Sequence, residues 1–264
     1  MVTEIYRPFY KPEGVIKFLG LGTDSFIGTI DKTTVLKYPK TPGDKTALRI
    51  LDLEAQILRK IGPHKHIIGY KGQRDDGLLL ERALRGSIAQ FLKFNTPTWQ
   101  QSLVWARQAT EAVAVTHNAD VIHCDINVNN LLLDNNLTVK LCDFQGRLLR
   151  PDGSVDKDGL ARENIKSFMP RADPNYSDRK TDIFALGSAF YYIMQGHEPF
   201  PDMDPFNNEE QIEARFASHQ FPEMNSLLMN YVTHKCWTGE YDSAEAVLQD
   251  LESDDACPVH LEEV

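Results

Sequence analysis

Through the first 82 residues the apolar positions come in short blocks, and after that they shift to helical spacing. "GVIKFLG" (14–20), "SFIGTID" (25–31) and "TTVLKYP" (33–39) are β-rich runs separated by turn residues. Two more strand-like runs, "HIIGYKG" and "GLLLERA", begin at His66 and Gly77. One helix stands among them. In "TALRILDLEAQILRKIG" (46–62), Ala47, Ile50, Leu51, Ile57, Leu58 and Ile61 share one face at about 100° per residue, and Gly62 closes it. From about residue 87 the period is helical, with Thr98 and Gln101 as a capping box for "WQQSLVWARQATEAVAVTH". A hairpin, "NLLL-DNN-LTVKL" (130–141), interrupts and turns at Asp134-Asn135-Asn136. Residues 145–180 read as loop. Helices return in "DIFALGSAFYYIMQG", "EEQIEARFAS", "MNSLLMNYVTHKCW" and "SAEAVLQDLE", and the tail 253–264 is expected to fray. A strand-rich first part and a helix-rich second part imply α+β segregation, not an alternating parallel sheet.

Polar exceptions inside this pattern carry the chemistry. Glu54 falls in the middle of the apolar stripe, where an unpaired carboxylate costs several kcal/mol. Its candidate partner is Lys37, itself inside a strand-like run. In the hairpin, Asn130 precedes the first strand and Asp143 follows the second, so antiparallel pairing should bring them together. An amide oxygen beside a carboxylate suits Mg2+, which takes one or two protein oxygens plus phosphates. Capping of the strand ends is the plainer reading. Asp125 lies in a loop leading to the same corner, just after His123. Gly20 and Gly22 open a turn, but Ser25 stands where a third glycine would complete G-x-G-x-x-G, and a strand follows, not a helix. That excludes a dinucleotide-binding turn, and no G-K-[ST] marks a P-loop.

Composition narrows the setting. The 264 residues, 42% hydrophobic and 25% charged, can build one large domain or two modest lobes. A net charge of -10 argues against nucleic acid. The charge is uneven: residues 1–80 hold 13 basic and 9 acidic side chains, whereas residues 81–264 hold 15 and 29. The second part is therefore either an ordinary solvated acidic face or a preference for basic partners. Four cysteines without C-x-x-C spacing offer no zinc or disulfide framework. The N-terminus lacks the apolar core of a signal peptide, and "IFALGSAFYYIM" (183–194) is too short to span a bilayer. A soluble, intracellular, cytoplasmic protein is expected, with the nucleus left open.

Taken in order, these residues resemble the eukaryotic protein kinase superfamily, in the manner of a compact, fungal-like single kinase domain. The resemblance rests on Gly20 and Gly22, "TVLK" with Lys37, Glu54, "HCDINVNN" with Asp125 and Asn130, and "DFQ" with Asp143. It implies a bilobal fold, with a small β-rich N-lobe holding one main helix (about 1–82), a larger α-helical C-lobe (about 83–252) and an acidic tail. It also implies ATP and Mg2+ as cofactors. Gly20, Leu21, Gly22 and Ile27 would cover the nucleotide, and Lys37, positioned by Glu54, would contact its α/β-phosphates. "LLLERALRGS" looks like the family's hinge, with Leu80 as gatekeeper and Glu81 to Ala83 against adenine. Asn130 and Asp143 would hold metal, and Asp125 would act as base. Asp182, in "TDIFALG", would hold the catalytic loop by its backbone. The expected enzyme is a monomeric kinase acting on a protein hydroxyl, more in the Ser/Thr than the Tyr manner, with basic substrates favoured. The alternatives are a pseudokinase serving as a nucleotide-binding or scaffold module, and a small-molecule kinase of the aminoglycoside or choline type.

Departures from the pattern set the questions. Cys124 replaces the Arg that receives an activation-loop phosphate in relatives, so activity without phosphate gating is expected and Cys124→Arg should change little. Asn127 replaces a Lys used on the γ-phosphate, which removes a cation from the transition state. Gln145 replaces the Gly of D-F-G, with Gly146 as the alternative hinge. Arg171 replaces the Glu of A-P-E, and a reversed ion pair with Glu240 or Asp242 is expected.

Overall fold

The computed structural model describes residues 10–253, so the tail from 254 and the first nine residues lie outside it. The described chain divides into two compact units, one of residues up to 63 with 68–82, the other of residues 64–67 with 83 onward.

The first unit is a five-stranded antiparallel sheet with one helix. Its strands are β1 (Lys17–Leu21), β2 (Ser25–Thr29), β3 (Thr34–Pro39), β4 (Tyr70–Arg74) and β5 (Gly77–Glu81), in the order β1-β2-β3-β5-β4. All six residues of β3 are buried, as suits the central strand of the sheet. The helix α1 (Lys45–Ile61) buries the predicted stripe except Ile61 at its end, which is half-buried. Asp44 caps it by accepting from the amides of Thr46 and Ala47, and Gly62, at φ 77°, ends it by donating to Leu58 O. That positive φ is why glycine suits the position.

The second unit contains α2 (Ile88–Leu92), α3 (Trp99–Asn118), β6 (Val121–Ile122), β7 (Leu131–Leu133), β8 (Val139–Leu141), β9 (Arg147–Leu149), β10 (Val155–Asp158), α4 (Arg179–Gln195), α5 (Glu209–Ala217), α6 (Leu227–Trp237) and α7 (Ala244–Glu252), with a 3-10 turn at Ile165–Ser167. Buried on nearly every side, α4 packs against α3 and α6. The hairpin β7–β8 pairs Leu131 with Leu141, and Asp134 holds its turn by accepting from the amides of Asn136 and Thr138. Among the described residues no helix is long and apolar enough to cross a membrane.

Two readings of the sequence need correction. Thr98 does cap α3 by accepting from Gln101 N, but the reciprocal capping boxes lie at Ser87 and Gln90, on the short α2, and at Asp178 and Thr181, on α4. Residues 145–180 are not all loop. Within them β9 and β10 form a hairpin that extends from β6, turning through Arg150-Pro151-Asp152-Gly153-Ser154. The strand β10 reads "VDKD", mostly exposed, so no alternation of apolar residues marks it.

Candidate functional site

In the first unit, Lys37 on β3 and Glu54 on α1 form a buried ion pair, Nζ to Oε2 at 2.5 Å, with 5% and 0% of the two side chains exposed. The carboxylate embedded in the stripe is thus explained: breaking such a pair costs far more than forming it yields. Gly20 and Leu21 end β1, Gly22 turns the hairpin by donating its amide to Ser25 O, and Ile27 lies on β2 opposite Gly20. Ser25 is buried at the start of β2. Leu80 is buried on β5, and Glu81 follows it, its amide bonded to Gly69 O.

In the second unit, the segment from His123 to Asn130 is built around Asp182, in the first turn of α4. The two carboxylate oxygens of Asp182 accept from the amides of His123 (2.8 Å) and Cys124 (2.9 Å), and Oδ2 also lies 3.0 Å from His117 Nε2. Cys124 is held at φ 64°, a left-handed conformation that non-glycine residues rarely adopt, and its side chain is fully buried. Burial and the nearby Asp182 charge push its thiol well above the ordinary range. His123 reaches across to Cys142, with Nε2 2.9 Å from its carbonyl, and stacks edge-on with Phe144.

Asp125 is the best-positioned group of this corner. Asn127 Nδ2 donates to its Oδ1 at 2.7 Å, and Asn130 Nδ2 donates to its Oδ2 at 2.8 Å. Both amides also reach the Asp125 carbonyl. Asn127 Oδ1 accepts from Asn129 N at 2.9 Å, which fixes the orientation of that amide. The open end of the β7–β8 hairpin joins Cys142 N to Asn130 O at 3.0 Å, and Asp143, at φ 67°, follows directly. Burial, and then the charge of Asp143, push Asp125 up to about 7, while the two amides pull the other way.

This donor set fits a hard cation. With Nδ2 committed to Asp125, Asn130 turns its amide oxygen away, and the repulsion between Asp125 and Asp143 is the kind a divalent ion relieves. Among the described residues no three His, Cys, Asp or Glu side chains cluster as a metal cage.

Built-in cations hold the segment after Asp143. Arg147 pairs with Asp158 at 3.0 Å and donates to the carbonyls of Ser177 and Asn175. The ammonium of Lys166, buried, donates to the carbonyls of Pro199 (2.9 Å), Phe200 (2.6 Å) and Met203 (2.7 Å). Arg171 pairs with Glu163 at 2.9 Å. That corrects the expected partners, because Asp242 instead pairs with Lys180 and Glu240 accepts from Thr238. The partner lies eight residues upstream, within the same segment. Gln145 occupies a backbone conformation open to any L residue, and Gly146 packs so closely that a Cβ would lie 2.1 Å from Ile122 O.

Comparison with known proteins identifies the family. The family described as protein kinase domain matches residues 28–251. A serine/threonine-protein kinase of Saccharomyces cerevisiae, PKH1, is 28% identical over 200 residues, 64% of this chain and 26% of that protein. The carbon catabolite-derepressing protein kinase of Candida glabrata is 26% identical over 205 residues, 71% of this chain and 32% of that protein. The phosphorylase b kinase gamma catalytic chain, liver/testis isoform, of Bos taurus is 27% identical over 158 residues, 56% of this chain and 39% of that protein. The chain thus spans a quarter to two fifths of these relatives' lengths.

Proposed function

The chain belongs to the protein kinase family, and from that premise we propose that it transfers the γ-phosphate of ATP to a protein hydroxyl, in the Ser/Thr manner. The observation that carries this reading is Asp125, whose two carboxylate oxygens are each aimed by an amide. A base in phosphoryl transfer needs orientation more than strength, because positioning and charge neutralisation dominate the reaction. Asp125 accepts the hydroxyl proton, Lys37 holds the α/β-phosphates in the orientation Glu54 fixes, and Asn130 with Asp143 holds Mg2+. When bound, that ion supplies the positive charge that offsets the phosphates. The Ser/Thr assignment draws support from relatives whose names carry it.

Labelled ATP with generic protein substrates tests the reading. Wild type should label serine or threonine, and Asp125→Asn should lower the rate by roughly 10²-fold or more, the usual scale for a general base. Equal rates would overturn the assignment.

One observation favours a second reading. Asn127 presents a neutral amide where kinases of this pattern carry an ammonium, as in a pseudokinase that holds nucleotide without transfer. A thermal shift with Mg-ATP in the absence of labelled product would mark that case, since saturation at 100-fold over Kd is worth ~2.7 kcal/mol.

A further inference from the structure

A cavity of about 310 Å³ opens in the second unit between the segment after Asp143 and α5. Ile165, Phe168 and Pro174 give it an apolar wall, and the Arg171 guanidinium stacks over the Phe168 ring at 4.2 Å. Glu209 and Glu213, one turn apart on α5, supply the other side. Neither makes an ion pair among the described residues, and neither does Arg162, the remaining cation of the lining. Glu209 has a structural reason to be there, since an acid in the first turn complements the helix dipole. Glu213, a turn further along, does not.

A second observation comes from the wall. The side chain of Glu163 is wholly buried and lines the same cavity. Its Oε2 is taken by Arg171, but Oε1 accepts no hydrogen bond, and Arg171 Nε likewise donates none. Buried polar atoms left unsatisfied in this way are uncommon and call for an explanation. A positive charge placed in the cavity would sit near this carboxylate, and attraction to a buried charge exceeds that at open surface. The charge of Glu163 is also among those that raise Asp125.

We infer that this cavity receives an arginine or lysine side chain of the peptide substrate, its stem along Phe168, Ile165 and Pro174 and its charged head between Glu209 and Glu213. Long basic side chains divide in this way between apolar and polar surroundings. The inference rests on the kinase reading and sharpens it to basic substrates, consistent with the acidic balance of residues 81–264.

The test uses the full chain and two readouts. In the first, peptides with a single serine and one scanned position are phosphorylated by wild type and by the double variant Glu209→Lys/Glu213→Lys. At one position wild type should prefer Arg or Lys over Glu in kcat/KM by roughly fivefold to tenfold, the scale of one or two partly exposed ion pairs. The variant should lose or invert that preference while still using the peptide that carries Ala there. In the second, fluorescein-labelled Arg and Glu peptides are titrated onto both proteins with Mg2+ and a non-hydrolysable ATP analogue, at low and high salt. The Arg peptide should bind wild type more tightly, and salt should erode the difference. A wild type indifferent to charge in both readouts, one preferring Glu, or a preference untouched in the variant overturns the inference. If no peptide is phosphorylated while charge-selective binding persists and disappears in the variant, the kinase reading fails and the cavity assignment stands.

Discussion

Asn127 donates from Nδ2 to Oδ1 of Asp125 at 2.7 Å, so the residue that replaces a phosphate-binding lysine also holds the proposed base. The substitution removes a cation but adds a donor to the group that must be aimed. Hydrogen bonds to charged groups are worth about 1.5–3 kcal/mol. Asn127→Ala should therefore lower kcat by roughly tenfold or more with little change in KM for ATP. Asn127→Asp should do worse, because it adds a carboxylate beside Asp125, which the charge of Asp143 already disfavours in its ionised form. Steady-state kinetics on a fixed peptide decide this, and an Asn127→Ala variant matching wild type would remove the positioning role.

Asp125 also gives the protein a pH signature. Its carboxyl ionises near the ordinary 3.8 when unfolded and near 7 when folded. The folded state therefore holds the proton more tightly, and the stability this lends is full below about pH 4 and lost as pH rises through 7. Without nucleotide, wild type should lose thermal stability between pH 5 and 8 relative to Asp125→Asn, by about 2–4 °C for ~1 kcal/mol after discounting for partial exposure. Parallel melting curves across that range would contradict it.

Cys124 changes from a regulatory question to a packing one. The sequence alone makes Cys124→Arg look harmless. In the fold, that side chain is sealed, its backbone sits at φ 64°, and Asp182 claims its amide. Inserting a long charged side chain there combines overpacking with burial of charge. Cys124→Arg should destabilise the chain by about 3 kcal/mol or more in denaturant unfolding, whereas an unchanged midpoint would show that the arginine escapes to solvent.

Order in the segment after Asp143 should depend on Lys166 and not on a phosphate. Lys166→Met removes three hydrogen bonds from the carbonyls of Pro199, Phe200 and Met203. Each buried acceptor left unmet costs about 1–3 kcal/mol. Hydrogen exchange across residues 160–171 should quicken markedly in the variant. Treatment of wild type with phosphatase should leave it unchanged, and a quickening there would point to phosphate gating instead.

Much of this was legible in the chain because it rests on periodicity and order. The stripe on α1 exposed Glu54 as an anomaly, and the strand context of Lys37 supplied its partner. The tight turn at Asp134 brought the ends of β7 and β8 together, and with them Asn130 and the residue before Asp143. What stayed hidden rests on geometry without periodicity. The carbonyl cage around Lys166 has no side-chain signature. Glu163 and Arg171 meet through the course of an irregular segment, so a partner borrowed from the family pattern was the wrong one. The hairpin β9–β10 did carry a signal, Pro151-Asp152-Gly153, but its charged, exposed second strand masked it.

The central claim is that the corner of Asp125, Asn130 and Asp143 transfers phosphate. Mass-spectrometric mapping of a protein substrate after incubation with Mg-ATP, wild type beside Asp143→Ala, tests it most directly. New phosphoserine or phosphothreonine with wild type, absent with the variant, is the predicted result. Nucleotide binding by wild type with no phosphate on any protein side chain would contradict it.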